Sequence, residues 1–174
     1  MKIKKIKKIL VPTDFSKLSL VALEYASVVS ELQEAEICLL HVLDKGTSRK
    51  LSKRSKSSEN LLKDAEKNAM KSLETIASQH LSECGDVTKS IRVGDPSREI
   101  VKFAFDENVD LVIISTHGRA GIAHILMGSV AEKVIRYSPI PVLSVKPTKV
   151  QMILEEDIDE QLHLKLNNVK RKDN

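Results

Sequence analysis

Five short strand-like segments recur along the chain, and an amphipathic segment separates each of them from the next. Four are mainly apolar, and the one at 88–93 alternates polar and apolar residues, as a strand near a sheet edge would. They are four to seven residues long, which suits buried strands better than helices. The segments span residues 6–11, 36–42, 88–93, 111–115 and 142–145. Because strands and helices alternate, the sequence predicts an α/β fold with a parallel sheet and helices on both faces. Because connections between parallel strands of one sheet are almost always right-handed, only a few strand orders and connections remain possible.

Helical spacing of apolar residues marks the intervening segments. We predict helices at 17–32 with Ser16 as N-cap, at about 58–82, after the turn at 94–97, and from Gly128 onward. The predicted core-facing residues are Leu18, Ala22, Ala26, Val29 and Leu32, then Leu62, Ala65, Ala69, Leu73 and Ile76, then Ile100, Val101 and Ala104.

Composition and charge restrict the classes of function. A chain of 174 residues with 41% hydrophobic content suits one domain, here residues 1–147, followed by a tail at 148–174. No apolar run is long enough for a membrane helix, and the apolar run after the lysines of residues 1–8 is too short for a signal peptide, so we expect a cytoplasmic protein. The spacing of Cys38 and Cys84 does not match that of metal-ligating cysteines, and we expect both to be buried and reduced.

The net charge of +4 is unevenly distributed. Residues 1–8 and 44–58 each contribute +5, which leaves about −6 for the rest of the chain. A nucleic-acid surface requires a basic face on ordered structure, with aromatic residues for stacking. Nucleic-acid binding is therefore not expected.

The loop after the fourth predicted strand carries the strongest functional signal. Ser115, Thr116, His117 and Gly118 follow an apolar run, and Gly128 and Ser129 open the next helix. The first amides of a helix lack partners within it, and the helix dipole favours an anion there. The pattern predicts a phosphate or nucleotide site, without the Gly-Lys-Ser/Thr pattern of a Walker loop.

These residues, together with those at 11–16, 41–42, 94–96 and 141–145, resemble the universal stress protein family (UspA-like) over about residues 6–147. The resemblance implies an adenine nucleotide alpha hydrolase-like sheet in the order 3-2-1-4-5 and a homodimer formed through the last strand, 142–145. For one branch of the family, the resemblance also implies that the protein binds ATP and hydrolyses little of it. That branch carries Gly-x2-Gly-x9-Gly-Ser/Thr, which here matches Gly118, Gly128 and Ser129, with Ser115 in place of the first glycine.

The resemblance also implies a set of nucleotide contacts. Asp14 would lie near the ribose or a nucleotide-bound Mg²⁺, and Val42 would contact adenine. The full set is Pro12, Thr13, Asp14, Val42, Ser115, His117, Gly118, Gly128, Ser129, Val130 and Ala131.

Structural roles compete with these functional ones. Asp14 has an alternative as a brace for the first helix, and His41 is expected to hold a neighbouring strand or loop. His117 suits a structural hydrogen bond as well as a phosphate contact. Ser115 obstructs the site if its position needs a glycine-only backbone angle, whereas in ordinary β conformation its hydroxyl is free to bind a phosphate.

The tail after Pro147 lies outside the resemblance. Its apolar residues recur at three- and four-residue spacing, as on one side of a helix, and acidic residues precede basic ones. The apolar residues are Leu154, Ile158, Leu162, Leu166 and Val169. A helix at 150–170 would dock on its own domain or its dimer mate, or bind a protein partner.

We therefore expect an ATP-binding stress or signalling homodimer. The alternatives are an interaction module of the branch that binds no nucleotide, acting through its dimer and tail, and a slow ATPase. The absence of a Walker lysine and of an evident water-positioning base makes fast hydrolysis unexpected.

Overall fold

A computed structural model describes residues 5–44, 58–117 and 127–147. The predictions for Gly118 and for the tail helix lie outside these residues. The described residues form one five-stranded sheet in which neighbouring strands are all parallel, in the order β3-β2-β1-β4-β5. The strands are β1 (Lys8–Pro12), β2 (Glu36–Asp44), β3 (Val87–Gly94), β4 (Leu111–Ser115) and β5 (Val142–Val145). This confirms the predicted fold class and strand order.

In the part of the chain that the structure describes, four helices connect the strands, and each lies within a few residues of its predicted position. They are α1 (Lys17–Gln33), α2 (Ser58–His80), α3 (Pro96–Asp106) and α4 (Ser129–Tyr137). Ser16 caps α1 as predicted, since its side chain accepts a hydrogen bond from the Ser19 amide. Asp95 caps α3 through the Arg98 amide, and hydrogen bonds from Ser97 and from that amide hold the pKa of Asp95 below its ordinary value.

The sheet separates two apolar clusters, because side chains alternate between its faces along each strand. On β1, Ile9 and Val11 belong to the cluster under α1 and α2, whereas Leu10 belongs to the cluster under α3 and α4. All three side chains are fully buried. Strand β1 is therefore central to both halves of the core.

The predicted core side of α1 was partly wrong. Its buried residues are Ser19, Ala22, Leu23, Ala26 and Ser30, while Leu32 is 75% exposed. Four of these five residues are small, and Leu23 is the large apolar side chain among them. Leu20, Val21 and Val29 are half-buried and pack against the same cluster. On α2 and α3 the predicted pattern holds better, with Ala69, Leu73, Ile76, Ile100 and Ala104 buried.

The two outer strands differ in character. β3 carries the exposed residues Thr88, Lys89 and Arg92, and the Arg92 guanidinium lies 5.1 Å from the centre of the Phe103 ring. β5 has no charged residue, and Leu143 is 38% exposed. Among the described residues, each of these strands pairs on one edge only.

Cys38 is buried and Cys84 half-buried, and both are free thiols. Burial raises the pKa of both thiols, which suits a packing role better than a reactive one. Within the described ranges, no helix is both long and apolar enough to cross a membrane.

Candidate functional site

The predicted site lies at the carboxyl edge of the sheet, where the winding reverses between β1 and β4. These two strands pair directly, through Ile9 with Leu111 and Leu10 with Val112. The chain continues from β1 to β2 on one side and from β4 to β5 on the other, so the loops after β1 and β4 diverge to leave a crevice. Ligands of doubly wound folds bind at such a point.

The loop after β1 is held by its own polar groups. The Thr13 amide donates to the Leu40 carbonyl at 2.9 Å, and the Thr13 hydroxyl lies 3.0 Å from that of Ser19. Asp14 Oδ1 accepts a hydrogen bond of 3.0 Å from the Ser16 amide. Asp14 thus braces the start of α1, the structural role considered from the sequence, while its side chain remains half-exposed at the edge of the crevice.

His41 fixes the same loop from the neighbouring strand. Its Nδ1 lies 2.7 Å from the Thr13 carbonyl oxygen, and its ring stacks on Phe15 with centroids 4.0 Å apart. Phe15 has φ of 67°, a left-handed conformation that is strained for a bulky residue. The stacking and the Thr13 hydroxyl, which accepts from the Phe15 amide, hold that conformation. The predicted structural role of His41 is confirmed.

The loop after β4 begins with three buried polar residues, each no more than 6% exposed. The Ser115 hydroxyl donates to the His117 carbonyl at 2.9 Å and accepts from the His117 amide at 3.3 Å. The Thr116 hydroxyl lies 2.9 Å from His117 Nδ1. Ser115 ends β4 without a positive φ, so its backbone needs no glycine, and its hydroxyl organises the loop.

Gly128 connects this loop to the start of α4. Its amide donates to the Thr116 carbonyl at 2.7 Å, and the Thr116 amide in turn donates to Val145 at 2.8 Å. A Cβ added at Gly128 would lie 3.2 Å from the Thr116 carbonyl oxygen, closer than ordinary van der Waals contact. Gly128 is therefore the residue that lets the amino terminus of α4 approach β4 closely.

The first turn of α4 is suited to an anion. Gly128 is the N-cap and provides no side-chain capping bond, unlike Ser16 and Asp95 in the other two capped helices. Ser129 is exposed beside it, Val130 is half-buried and Ala131 is buried. Uncapped amides at a helix start attract negative charge.

The structure places most of the predicted site residues around one crevice. Pro12, Thr13 and Asp14 lie on one side, Ser115 and His117 on the other, and the residues from Gly128 to Ala131 beyond them. Val42 lies on β2, paired with Arg92, one strand further from the switch point.

Sequence reasoning assigned no individual role to three residues that shape the crevice. Thr116 anchors α4, Phe15 stacks on His41, and Ser19 bonds Thr13. Phe15 and Thr116 lie within the 11–16 and 115–118 motifs, and Ser19 is a polar residue in the first turn of a capped helix. In the ranges described, no group of three or more His, Cys, Asp or Glu residues is placed to hold a metal ion.

A doubly wound parallel sheet in the order 3-2-1-4-5, with a glycine-capped helix at its switch point, defines the class of α/β protein to which this chain belongs. The chain is a member of the universal stress protein family, whose family model matches residues 5–146.

Named relatives agree with this assignment. The universal stress protein MJ0577 of Methanocaldococcus jannaschii is 39% identical over 153 residues, covering 80% of this chain and 94% of that protein. YxiE of Bacillus subtilis is 31% identical over 149 residues, covering 80% of this chain and 98% of its own length. The solved structure of MJ0577 superposes with a TM-score of 0.73 at 38% identity, over 83% of this chain and 98% of that one.

More distant structures share the fold alone. A universal stress protein solved in complex with cAMP has a TM-score of 0.55 at 22% identity, covering 82% of this chain and 98% of that one. One from Archaeoglobus fulgidus, solved in complex with dAMP, has a TM-score of 0.51 at 19% identity, covering 82% and 100%.

Proposed function

We propose that this protein binds ATP at the β1–β4 crevice and acts as a cytoplasmic stress-signalling homodimer with little or no turnover. Nucleotide occupancy would change which partner the dimer engages. The proposal rests above all on one observation: Gly128 brings an uncapped helix start against the loop after β4, at the switch point of the sheet.

Each side of the crevice then has a part in binding. The amides from Gly128 to Ala131 would hold the phosphates, with the Ser129 hydroxyl as a further donor and His117 and Gly118 at the border. Pro12, Thr13 and Asp14 would line the ribose, and Val42 would contact the adenine. Mg²⁺ would reach the site with the nucleotide, beside Asp14.

The chemistry of these residues supports binding over catalysis. The hydroxyl of Thr13 is within hydrogen-bond distance of Ser19, and that of Ser115 is engaged by His117. No lysine occurs among the residues assigned to the phosphates. An adenine nucleotide as the class of ligand gains support from the fold relatives solved with cAMP and dAMP. The β5 edge would form the dimer, because it is uncharged and partly apolar.

The presence of Ser115 at a signature glycine position favours a second candidate. In that alternative, the crevice is degenerate and the protein is an interaction module acting through its dimer and tail. The hydrogen bonds of Ser115 argue against simple obstruction, since its hydroxyl stabilises the loop conformation that positions His117.

Purified protein should be stabilised by Mg-ATP. At a nucleotide concentration of about 100 times Kd, binding adds about 2.7 kcal/mol and raises Tm by about 5–10 °C for a domain of this size. Differential scanning fluorimetry measures the shift, and mass spectrometry identifies any nucleotide that co-purifies. A protein that carries no nucleotide and shows no shift with Mg-ATP would contradict the proposal.

Substitution of Ser115 distinguishes the ATP-binding protein from the interaction module. We expect Ser115→Ala to weaken ATP binding about three- to tenfold, because the buried His117 amide and carbonyl each lose a partner. Ser78→Ala is a suitable control, since Ser78 is exposed and its hydroxyl bonds only within α2. Calorimetric titration measures both. Tighter binding by Ser115→Gly would instead show that the serine obstructs the site, in favour of the interaction module.

A further inference from the structure

The exposed side of α1 carries an apolar stripe. Its members recur at alternating three- and four-residue spacing, the spacing of residues at a helix–helix seam. They are Leu18, Val21, Tyr25, Val28 and Leu32. The last three are 49%, 54% and 75% exposed, and the first two are half-buried. Since the small residues of α1 already face the sheet, this stripe is a second apolar side of the same helix.

The stripe is turned toward β5. At about 100° per residue, it is centred roughly 140° from the buried side of α1. The right-handed crossover from β1 through α1 to β2 directs that side of the helix away from β2, toward β4 and β5. Tyr25 and Leu32 therefore lie on the side of α1 that is next to β5, whereas Val28 is almost opposite the buried side and faces away from the sheet.

The sheet is thinly covered at that position. On this face, α1 packs on β4 and β1, and α2 packs on β3 and β2. Leu143 of β5 pairs with Ile113, a residue of the cluster under α1, so its side chain lies on the same face. Leu143 is 38% exposed. Leu143 and the α1 stripe are thus exposed apolar residues on the same face of the sheet, and the part of that face beside α1, over β5, is the recess.

The chain after β5 starts beside this recess. Val145 belongs to the cluster under α1, and Pro147, the last described residue, is fully buried. Residues 148–174 then follow, beyond the family match, which ends at 146. Their apolar stripe from Leu154 to Val169 would span about 22 Å as a helix, and Leu18 to Leu32 spans about 21 Å. A returning helix after β5 would run alongside α1 in the same direction.

When the tail helix and α1 run in the same direction, charges of opposite sign lie beside each other near both ends of α1. Glu31 is exposed and lies at the carboxyl end of α1, next to Leu32. The second half of the tail is basic, with Lys165, Lys170, Arg171 and Lys172, and would lie beside Glu31. The first half carries Glu155, Glu156, Asp157, Asp159 and Glu160 and would start near Lys17.

We propose that residues 148–174 of the same chain form a fifth helix that covers this recess, with the tail's apolar stripe packed on Tyr25, Leu32 and Leu143. The tail thereby completes the helical layer over β5, alongside α1. This surface is separate from the nucleotide crevice, so failure of the ATP-binding proposal leaves the tail proposal intact, although the tail shares Leu143 with the proposed dimer edge of β5.

Hydrogen exchange of the full chain tests the contact from both sides. Ending the chain at residue 147 should speed amide exchange in α1 about fivefold or more, while α3, on the opposite face of the sheet, stays unchanged. In the full chain, Tyr25→Ser with Leu32→Ser should speed exchange within 154–169 to a similar extent. Phe105→Ser with Tyr137→Ser is the matched control, because both residues are 66–68% exposed on the other face. Unchanged exchange in both α1 and the tail would overturn the proposal.

A cross-link distinguishes the chain's own tail from a second copy. In a background with Cys38→Ala and Cys84→Ala, Tyr25→Cys and Leu162→Cys should be joined by a short bismaleimide within one chain. The product should keep the mobility of a monomer at every protein concentration. A cross-linked dimer as the main product, or a monomer-sized link that forms equally with Phe105→Cys in place of Tyr25→Cys, would overturn the assignment.

Discussion

Replacing Gly128 with alanine should weaken ATP binding more than about tenfold, the largest loss of affinity that we expect from a single added methyl group. The new Cβ would lie 3.2 Å from the Thr116 carbonyl oxygen, so one of the two must move. Thr116 is held by the bond from its own amide to Val145, which leaves α4 as the element that shifts. The amides assigned to the phosphates shift with it, and calorimetric titration with Mg-ATP measures the loss.

Gly85 provides the matched control. No atom lies within 4 Å of a Cβ added there, and Gly85 lies in the turn before β3 rather than at the carboxyl edge. Gly85→Ala should bind ATP as the unaltered protein does. If Gly128→Ala keeps its affinity, the start of α4 is not the phosphate site. Far-ultraviolet circular dichroism would establish that the variant is folded.

Replacing His41 with alanine should lower both stability and affinity. The change leaves the buried Thr13 carbonyl without the ring nitrogen and removes the ring on which Phe15 stacks. We expect the free energy of unfolding to fall by about 2–4 kcal/mol, from the lost hydrogen bond and the cavity. Phe15 would then be released from its left-handed conformation, and the loop bearing Asp14 would lose its shape. Urea denaturation and calorimetry measure the two effects.

His80 is the control for this variant, since it is an exposed histidine at the end of α2. His80→Ala should change the free energy of unfolding by less than about 0.5 kcal/mol. A His41→Ala protein with normal stability but weakened ATP binding would indicate that His41 contacts the nucleotide directly. If His41→Ala changed neither the free energy of unfolding nor the ATP affinity, contacts other than those of His41 would hold the loop after β1.

The fold was predictable because the sheet imposes a simple pattern. Buried parallel strands must be short and apolar, and the helices between them must be long enough to cross back, so their order alone determines the class. The edge position of β3 also followed from its alternating polar residues. The buried side of α1 could not be predicted from the sequence, because this helix has apolar residues on two sides and their spacing does not identify which side faces the sheet.

The sequence predicted where the candidate site lies but not the hydrogen bonds that shape it. Glycine and serine at a helix start indicated where an anion would bind, and the structure brings Asp14 to the same edge. The role of Ser115 depended on a backbone angle and on hydrogen bonds two residues away, which sequence spacing does not encode. The anchoring by Thr116 uses its main-chain carbonyl, so the identity of its side chain carried no signal.

The contrast between the two outer strands has a consequence for the size of any assembly. If β5 of one copy met β3 of another, each addition would expose a fresh edge, and the result would be an open filament. Lys89 and Arg92 on β3 oppose such growth, as charged residues on outer strands generally do. Pairing of β5 with β5 would use the same surface twice and leave the charged β3 edges outermost. An assembly formed through β5 would therefore stop at two copies.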